Sequence, residues 1–188
     1  GENEKATEDK LKQVLKVAGA AVFKQDKLVG YLTPTETKGY LRIIDEIKLQ
    51  SMNATLPRYN TPVNLNTYNS TAQIKWDADT PQTFLIKVKE LFRLAEQDSG
   101  IIQTSLRTTN KLENLKEKAV IKETKLAIKK SQQLQSDIFG LKGVIKRQNP
   151  VLWKKLKDNW GKTFQNLTLK IKVESILKQA GEIHRPIF

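Results

Sequence analysis

The 188-residue sequence predicts a single α/β (α+β) domain, with a mixed, largely antiparallel sheet on which one long helix and several short helices pack. Three observations predict this fold class. Several short segments alternate between apolar and polar residues, which is typical of half-buried strands. Residues 110–135 keep helical spacing without a proline or glycine. Finally, a strand-like run follows the helical block, so we expect it to return to the sheet formed by the earlier strands.

The chain divides into three parts in this prediction. Residues 1–16 form a helical lead-in, residues 17–109 contain a hairpin, a helix and strands, and residues 110–188 contain the long helix, two short helices and the final strand. In the second part, two apolar runs at 17–23 and 28–32 flank a polar turn. This arrangement favours a β-hairpin whose first strand is buried.

A helix start follows the hairpin. Thr33 can cap the helix, Pro34 suits its first position, and Glu36 can complete a capping box. We expect this helix to run to about Lys48. Its inward apolar side chains are expected to be Tyr40, Leu41, Ile44 and Ile47.

The next segment predicts a loop and two strands. Residues 51–70 are rich in Asn, Thr and Pro, which favours a loop or an irregular edge strand. A half-buried strand is expected at 72–76. A longer strand after Pro81 places its apolar residues on one face. Glu90 falls on that same face, so we expect a bulge or a strand end nearby.

The long helix at 110–135 would extend roughly 39 Å. Ile121 and Ile128, one heptad apart, point away from its main stripe. They form either a second contact with the fold or a ridge that faces a partner. The main inward stripe is expected to contain Leu112, Leu115, Ala119, Val120, Leu126, Ala127 and Leu134.

Two short helices and a strand complete the chain. Asn149-Pro150 ends the first of these helices and caps the second. The last strand is expected at 167–173. The first helix is lined by Ile138, Leu141 and Ile145, and one face of the second carries Leu152, Trp153, Leu156 and Trp160.

The net charge of +13 is concentrated in the second half of the chain. Residues 1–110 contain 15 Lys and Arg against 13 Asp and Glu, whereas residues 111–188 contain 18 against 7. This distribution favours an anionic partner, such as a membrane surface, a nucleic acid or an acidic protein. The candidate interaction surface has two parts. The first is the set of lysines on the helix face opposite the tryptophans, and the second is the isoleucine pair of the long helix: Lys154, Lys155, Lys157, Lys162, Ile121 and Ile128.

The residue inventory predicts neither a catalytic site nor a bound cofactor or metal. The chain has no cysteine and one histidine, His184, and it lacks the phosphate-loop, nucleophile-elbow and zinc-protease motifs. Asp77-Ala78-Asp79 begins like a calcium loop, but Gln82 and Val88 stand where that loop needs Gly and Glu. No apolar run approaches the roughly 18–20 residues of a membrane span. We therefore expect a non-enzymatic protein.

Five blocks of sequence share their order with one known family. They are GAAVFKQDKLVGYL (19–32), ETKGY (36–40), DIFG (137–140), PVLWKKLKDNWGKTF (150–164), and the final strand with Gly181 after it. Together they resemble the C-terminal domain of the Ger(x)C lipoproteins, the C subunits of spore-germination receptors. The family's lipobox cysteine and N-terminal domains are absent, so we expect the C-terminal part of a larger lipoprotein. Residues 43–46 replace a glycine-containing turn of the family, which predicts a local difference.

The resemblance implies a subunit of a nutrient-germinant receptor. Such a subunit would be held by a lipid on the outer face of the spore's inner membrane, beside two integral-membrane subunits. Docking to those subunits, or to the anionic membrane surface, would then be its role.

Two other functions stay open at this stage. One is a basic nucleic-acid-binding module, with Trp153 and Trp160 available for base stacking if they are not in the core. The other is a domain that binds the small germinant directly in a partly apolar pocket. The candidate lining residues of such a pocket are Tyr31, Tyr40, Tyr59, Tyr68 and Trp76.

Overall fold

The structure is a computed structural model that describes residues 19–47, 49–56, 61–95 and 105–178. These residues form a mixed α/β fold, which confirms the predicted fold class. The predicted lead-in at 1–16 and His184 lie outside the described residues. In chain order the elements are β1 (Ala20–Lys24), β2 (Lys27–Leu32), α1 (Pro34–Ile43), β3 (Gln50–Leu56), β4 (Thr61–Trp76), β5 (Thr83–Leu94), α2 (Leu106–Gln133), α3 (Leu141–Gln148), α4 (Pro150–Leu156), a 3-10 turn (Lys157–Asn159), α5 (Trp160–Gln165) and β6 (Thr168–Leu177).

The strands form two sheets. β1 and β2 make an antiparallel hairpin, and β3, β4, β5 and β6 make a four-stranded sheet in that order. Neighbours are antiparallel from β3 to β5, whereas β6 runs parallel to β5. The last strand therefore returns to the earlier ones, as predicted. The helices between β5 and β6 form the crossover that a parallel pair requires.

For residues 51–70 the prediction of a loop or an irregular edge strand is correct in part, because residues 51–56 belong to the edge strand β3. Residues 61–70 differ from it, because they form the first part of the inner strand β4. Val63, Leu65 and Thr67 face the core before a register shift, whereas Ala72, Ile74 and Trp76 face the core beyond it. The shift leaves Tyr68 as an extra residue, and it changes which alternate residues point inward. Because of the inserted residue, the apolar–polar alternation of β4 is interrupted in the sequence, and the pattern does not predict one continuous strand.

Glu90 remains on the inner face of a regular β5. The register shift expected near it exists, but it lies in the neighbouring strand, opposite Leu91 and Phe92. The carboxylate of Glu90 is fully buried, together with the apolar side chains on either side of it along β5.

All the larger helices pack on one face of the four-stranded sheet. α2 contributes Val120, Ala127 and Ile128 to a core that also contains Phe84 and Ile86 of β5. The buried stripe of α2 is more polar than predicted, because the helix also faces other helices and strand ends. Its buried residues are Thr108, Leu112, Lys116, Val120, Thr124, Ala127, Ile128 and Ser131.

α1 begins with the predicted capping box but ends earlier than predicted. The Thr33 backbone N–H donates to Glu36 Oε2 at 2.7 Å, and the Glu36 backbone N–H donates to Thr33 Oγ1 at 3.3 Å. The helix stops at Ile43 because Asp45 adopts a left-handed conformation with a φ of 65°. This is the conformation that a glycine would supply most readily. Asp45 Oδ1 also accepts a hydrogen bond from the backbone N–H of Ala72, at 3.0 Å.

The β1–β2 hairpin is confirmed, but its first strand is not buried. Val22 and Leu32 face inward, whereas Phe23 and Tyr31 are 56% and 63% exposed. A two-stranded sheet can cover only one of its faces with the rest of the fold, and the other face stays in solvent. Ser136 Oγ donates to the backbone carbonyl of Phe23 at 3.1 Å and thereby ties the hairpin to the segment after α2.

Candidate interaction surface

Asp137 organises the segment that carries the candidate lysines. Its carboxylate accepts hydrogen bonds from the backbone N–H groups of Leu141 and Lys142, at 2.9 and 2.8 Å, at the start of α3. The same carboxylate accepts a hydrogen bond from Trp160 Nε1 at 3.1 Å. Gly140, which precedes α3, has a φ of 73° and so occupies the left-handed region that favours glycine. The DIFG block and the second tryptophan are thus parts of one local structure.

The two tryptophans of this region pack inward. Trp153 and Trp160 are partly buried against the main core, with ring centroids 5.5 Å apart in an edge-to-face arrangement. Asn149 caps α4 as predicted, because its Oδ1 accepts a hydrogen bond from the Leu152 backbone N–H at 2.9 Å. Since one indole N–H is occupied by Asp137 and both rings contact the core, these rings are poorly placed to stack on exposed bases.

The four candidate lysines of α4, the 3-10 turn and α5 are all exposed: Lys154, Lys155, Lys157 and Lys162. Within the described part of the chain, none of them has a carboxylate within 4.0 Å. Asp158 is the acidic residue among them, and it is also exposed. The positive charge on this face is therefore available to a partner.

The helical pair Ile121 and Ile128 does not form an exposed ridge. Ile128 is 8% exposed and belongs to the main core, and Ile121 is half-buried. The long helix touches the fold on two sides because α1 packs against it in addition to the sheet. Ile128 therefore belongs to the core and not to an exposed interaction surface.

A buried ionic cluster joins α1, β5 and α2, and sequence reasoning missed it. Arg42 Nε donates to Glu90 Oε1 at 2.5 Å, and Lys116 Nζ lies 3.5 Å from Glu90 Oε2. Arg42 also binds the carboxylate of Glu123 and the side-chain oxygen of Gln50. In the sequence, the one sign of this cluster was the position of Glu90 among apolar residues on one strand face.

The role of this ionic cluster is to hold α1, β5 and α2 together. Burial lowers the pKa of Lys116, while the neighbouring Glu90 carboxylate opposes that shift. A cluster of charged groups with a shifted pKa often marks an active site. Here, however, Arg42, Glu90 and Lys116 are each at most 1% exposed, so a substrate has no route to them.

The described candidate lining residues for a small germinant lie on three elements: β2, α1 and β4. Tyr40 contacts Phe139 with a centroid distance of 6.2 Å, and Trp76 Nε1 donates to the Pro81 carbonyl at 2.9 Å. Tyr31 projects from the hairpin, and Tyr68 is the extra residue at the register shift of β4. Tyr59 lies outside the described residues.

Two further properties of the described residues concern metal ions and membranes. Among the residues that the structure describes, no group of three or more His, Cys, Asp or Glu side chains is placed to hold a metal ion. No helix in the described ranges combines the length and the apolar character needed to cross a bilayer.

Comparison with known proteins places the chain in a family. The model for "Spore germination B3/GerAC like, C-terminal" matches residues 18–181. Spore germination protein KC of Bacillus subtilis (strain 168) is 26% identical over 189 residues, which cover 99% of this chain and 46% of that protein. The crystal structure of the GerBC protein superposes with a TM-score of 0.75 at 27% identity, covering 87% of this chain and 52% of that chain.

The chain thus spans about half the length of the relatives that it matches. The family match covers most of this chain, including the hairpin, the long helix, the segment around Asp137 and the tryptophans, and the last strand. The resemblance stated from the five sequence blocks is confirmed, and the chain belongs to the family of spore germination B3/GerAC-like C-terminal domains.

Proposed function

We propose that this chain is the C-terminal domain of a germinant-receptor C subunit and acts in spore germination without catalysing a reaction. The observation that carries the proposal is the family match across residues 18–181. In this role the domain belongs to a lipid-anchored protein on the outer face of the spore's inner membrane. It docks to the integral-membrane subunits of the receptor, to the anionic membrane surface, or to both.

The lysine face of α4 and α5 is the surface that we assign to the membrane. Lys154, Lys155, Lys157 and Lys162 are exposed along this segment, while Trp153 and Trp160 pack the same segment against the core. Clustered lysines near an anionic bilayer contribute about 1 kcal/mol each to membrane binding. A surface of this kind needs no pocket and no catalytic group.

Co-sedimentation of the purified chain with vesicles tests this assignment. We expect binding to phosphatidylglycerol-containing vesicles but not to neutral phosphatidylcholine vesicles, and we expect salt to weaken it. The variant K154E/K155E should lose this binding. The matched control K38E/K142E reverses two exposed lysines on other helices and should retain most of it.

Three results would contradict the assignment. If the chain fails to sediment with anionic vesicles at low salt, the membrane role is wrong. If both double variants lose binding equally, net charge rather than the α4–α5 face is responsible. If duplex DNA removes the chain from the vesicles and binds it more tightly, nucleic-acid binding becomes the better function.

The germination role has its own test. Spores whose receptor subunit carries the reversed charges at Lys154, Lys155, Lys157 and Lys162 should fail to germinate with nutrient, although the subunit accumulates at its normal level. Normal germination of these spores would show that this face is not required.

A further inference from the structure

The outer face of the four-stranded sheet is open to solvent. Side chains alternate along β5. Phe84, Ile86 and Val88 point toward the helices, whereas Lys87 and Lys89 point to the other face and are exposed. The same alternation continues on the neighbouring strands. Parallel strands such as β5 and β6 are normally covered on both faces, so an uncovered parallel pair is unusual.

The strand register gathers lysines on this open face. One row across β4, β5 and β6 consists of Lys75, Leu85 and Lys170. The next row on the same face consists of Gln73, Lys87 and Lys172. Neighbouring strands are roughly 4.8 Å apart, and successive residues on one face are roughly 7 Å apart. We call the four residues Lys75, Lys87, Lys170 and Lys172 the sheet lysines. All four are exposed.

The sheet lysines differ from their neighbour Lys89 in ion pairing. Among the described residues, none of the four has a carboxylate within 4.0 Å, whereas the neighbouring Lys89 pairs with Glu174 at 3.6 Å. Lys87 and Lys172 are directly opposite each other in the register. Like charges in opposite positions destabilise a sheet. The repulsion between Lys87 and Lys172 therefore lowers the stability of the isolated domain, and an acidic partner would relieve it.

A shallow depression lies beside two of the sheet lysines, Lys87 and Lys172. It has a volume of about 310 Å³ and is lined by Thr71, Gln73, Lys87, Val88, Lys89, Lys172 and Glu174. The Glu174 carboxylate in this lining pairs with Lys89 at 3.6 Å. The lysines supply charge, and the hydroxyl and amide groups of Thr71 and Gln73 supply hydrogen bonds. Together these groups match the needs of a carboxylate side chain.

We propose that the sheet lysines and this depression bind an acidic protein segment, rich in Asp or Glu. The inference deepens the proposed function, on which it rests for the existence of a docking partner, because it assigns the protein partner to the sheet and leaves the membrane to α4 and α5. A protein fits this face better than lipid. In the described rows of β4, β5 and β6 that carry the sheet lysines, the large apolar side chain is Leu85, which is only partly exposed, whereas a lipid-inserting face would carry several fully exposed ones.

Binding of a fluorescent peptide of ten glutamates to the purified chain tests the proposal. We expect saturable, salt-sensitive binding, with a peptide of ten glutamines as the neutral control. The variant K87E should weaken binding at least about tenfold, because it places a negative charge against the acidic peptide. The control K38E makes the same change of net charge on α1, which packs on the opposite face of the sheet, and should weaken binding less than about threefold.

The K87E variant also separates binding from folding. Its new carboxylate faces Lys172 in the register, so the thermal midpoint should equal or exceed that of the wild type. A folded protein that loses the peptide therefore supports the proposal. K172E should behave in the same way, which gives a second independent variant.

Several outcomes would overturn the inference. These are an absence of saturable peptide binding at low salt, equal weakening in K87E and K38E, and loss of vesicle binding in K87E while the peptide still binds. The last result would make the sheet a membrane contact. The proposed function fails separately, when K154E/K155E keeps its vesicle binding or the reversed-charge spores germinate normally.

Discussion

Glu90 places a carboxylate in the middle of the apolar face of β5, and side chains from three other elements converge on it. Arg42 Nε donates to it at 2.5 Å, Thr67 Oγ1 donates at 3.3 Å, and Lys116 Nζ lies 3.5 Å away. An unpaired buried carboxylate would cost several kcal/mol, so these contacts are needed for the strand to pack. The cluster thereby fixes α1 and α2 relative to the sheet.

Two members of this cluster, Lys116 and Glu90, should respond differently to substitution. K116M should leave the free energy of unfolding unchanged or raise it by about 1 kcal/mol, because it removes a desolvated ammonium while Glu90 keeps Arg42. E90Q should lower it by about 3 kcal/mol, because Arg42 and Lys116 lose their shared partner. Urea unfolding at neutral pH measures both. If K116M proves the less stable of the two, this description of the cluster is wrong.

The same K116M variant gives a pH test. Burial lowers the pKa of Lys116 below its ordinary value of 10.5. The folded protein therefore releases this proton at a lower pH than the unfolded chain does. Between those two pKa values the unfolded chain binds more protons, so stability rises with pH across the interval. The stability of the wild type relative to K116M should increase as the pH is raised to 10.5, and a relative decrease would contradict the lowered pKa.

At the scale of elements, the contact between α1 and α2 depends on one glycine. A Cβ added at Gly39 would collide with the backbone carbonyl of Glu123 and touch the Ala127 side chain. The two helices can approach this closely only because Gly39 has no side chain. The close approach also brings Arg42, one turn later on α1, within reach of Glu123 and Glu90.

Two glycine-to-alanine changes in helices should have opposite effects. G39A should lower the free energy of unfolding by about 2 kcal/mol, because a backbone atom blocks the new methyl group. G143A is the matched control, because its nearest neighbour is the end of the flexible Arg147 side chain at 3.4 Å. It should raise the free energy of unfolding by up to about 1 kcal/mol, through helix propensity alone. Thermal unfolding would contradict the argument if both changes shifted the midpoint in the same direction.

At the scale of the whole molecule, the positive charge lies on two different surfaces. The lysines of α4 and α5 belong to the helical layer, and the sheet lysines lie on the opposite side of the four-stranded sheet. With a net charge of +13, both sets repel like charge in the isolated domain. A domain charged on two sides can contact a membrane and a protein at the same time.

Salt should reveal this repulsion. K87E should melt at a higher temperature than the wild type at low ionic strength, because it replaces a repulsive lysine pair by an attractive one. The difference should shrink as sodium chloride is raised from about 20 to about 300 mM, because exposed charges are screened. A salt-independent difference would mean that the effect of K87E is not electrostatic.

Much of the local structure could be predicted from nearby residues. The capping box at Thr33 and Glu36, the cap at Asn149, the strand alternation and the exposure of the α4–α5 lysines all depend on side chains within about four positions of one another. The five family blocks were likewise sufficient to identify the family. These features follow from the sequence because the interacting groups are neighbours along the chain.

Other features were decided only by the tertiary structure. Arg42 and Glu90 are 48 residues apart, and their pairing is what allows Glu90 to stay on the core face of a regular strand. The early end of α1, the register shift at Tyr68 and the burial of Ile128 also depend on partners from distant segments. The free energy of burying a charge or a side chain depends on what surrounds it in space. The sequence by itself therefore determined the elements and the family, whereas the folded chain decided which charges are buried in pairs and which remain exposed on the sheet.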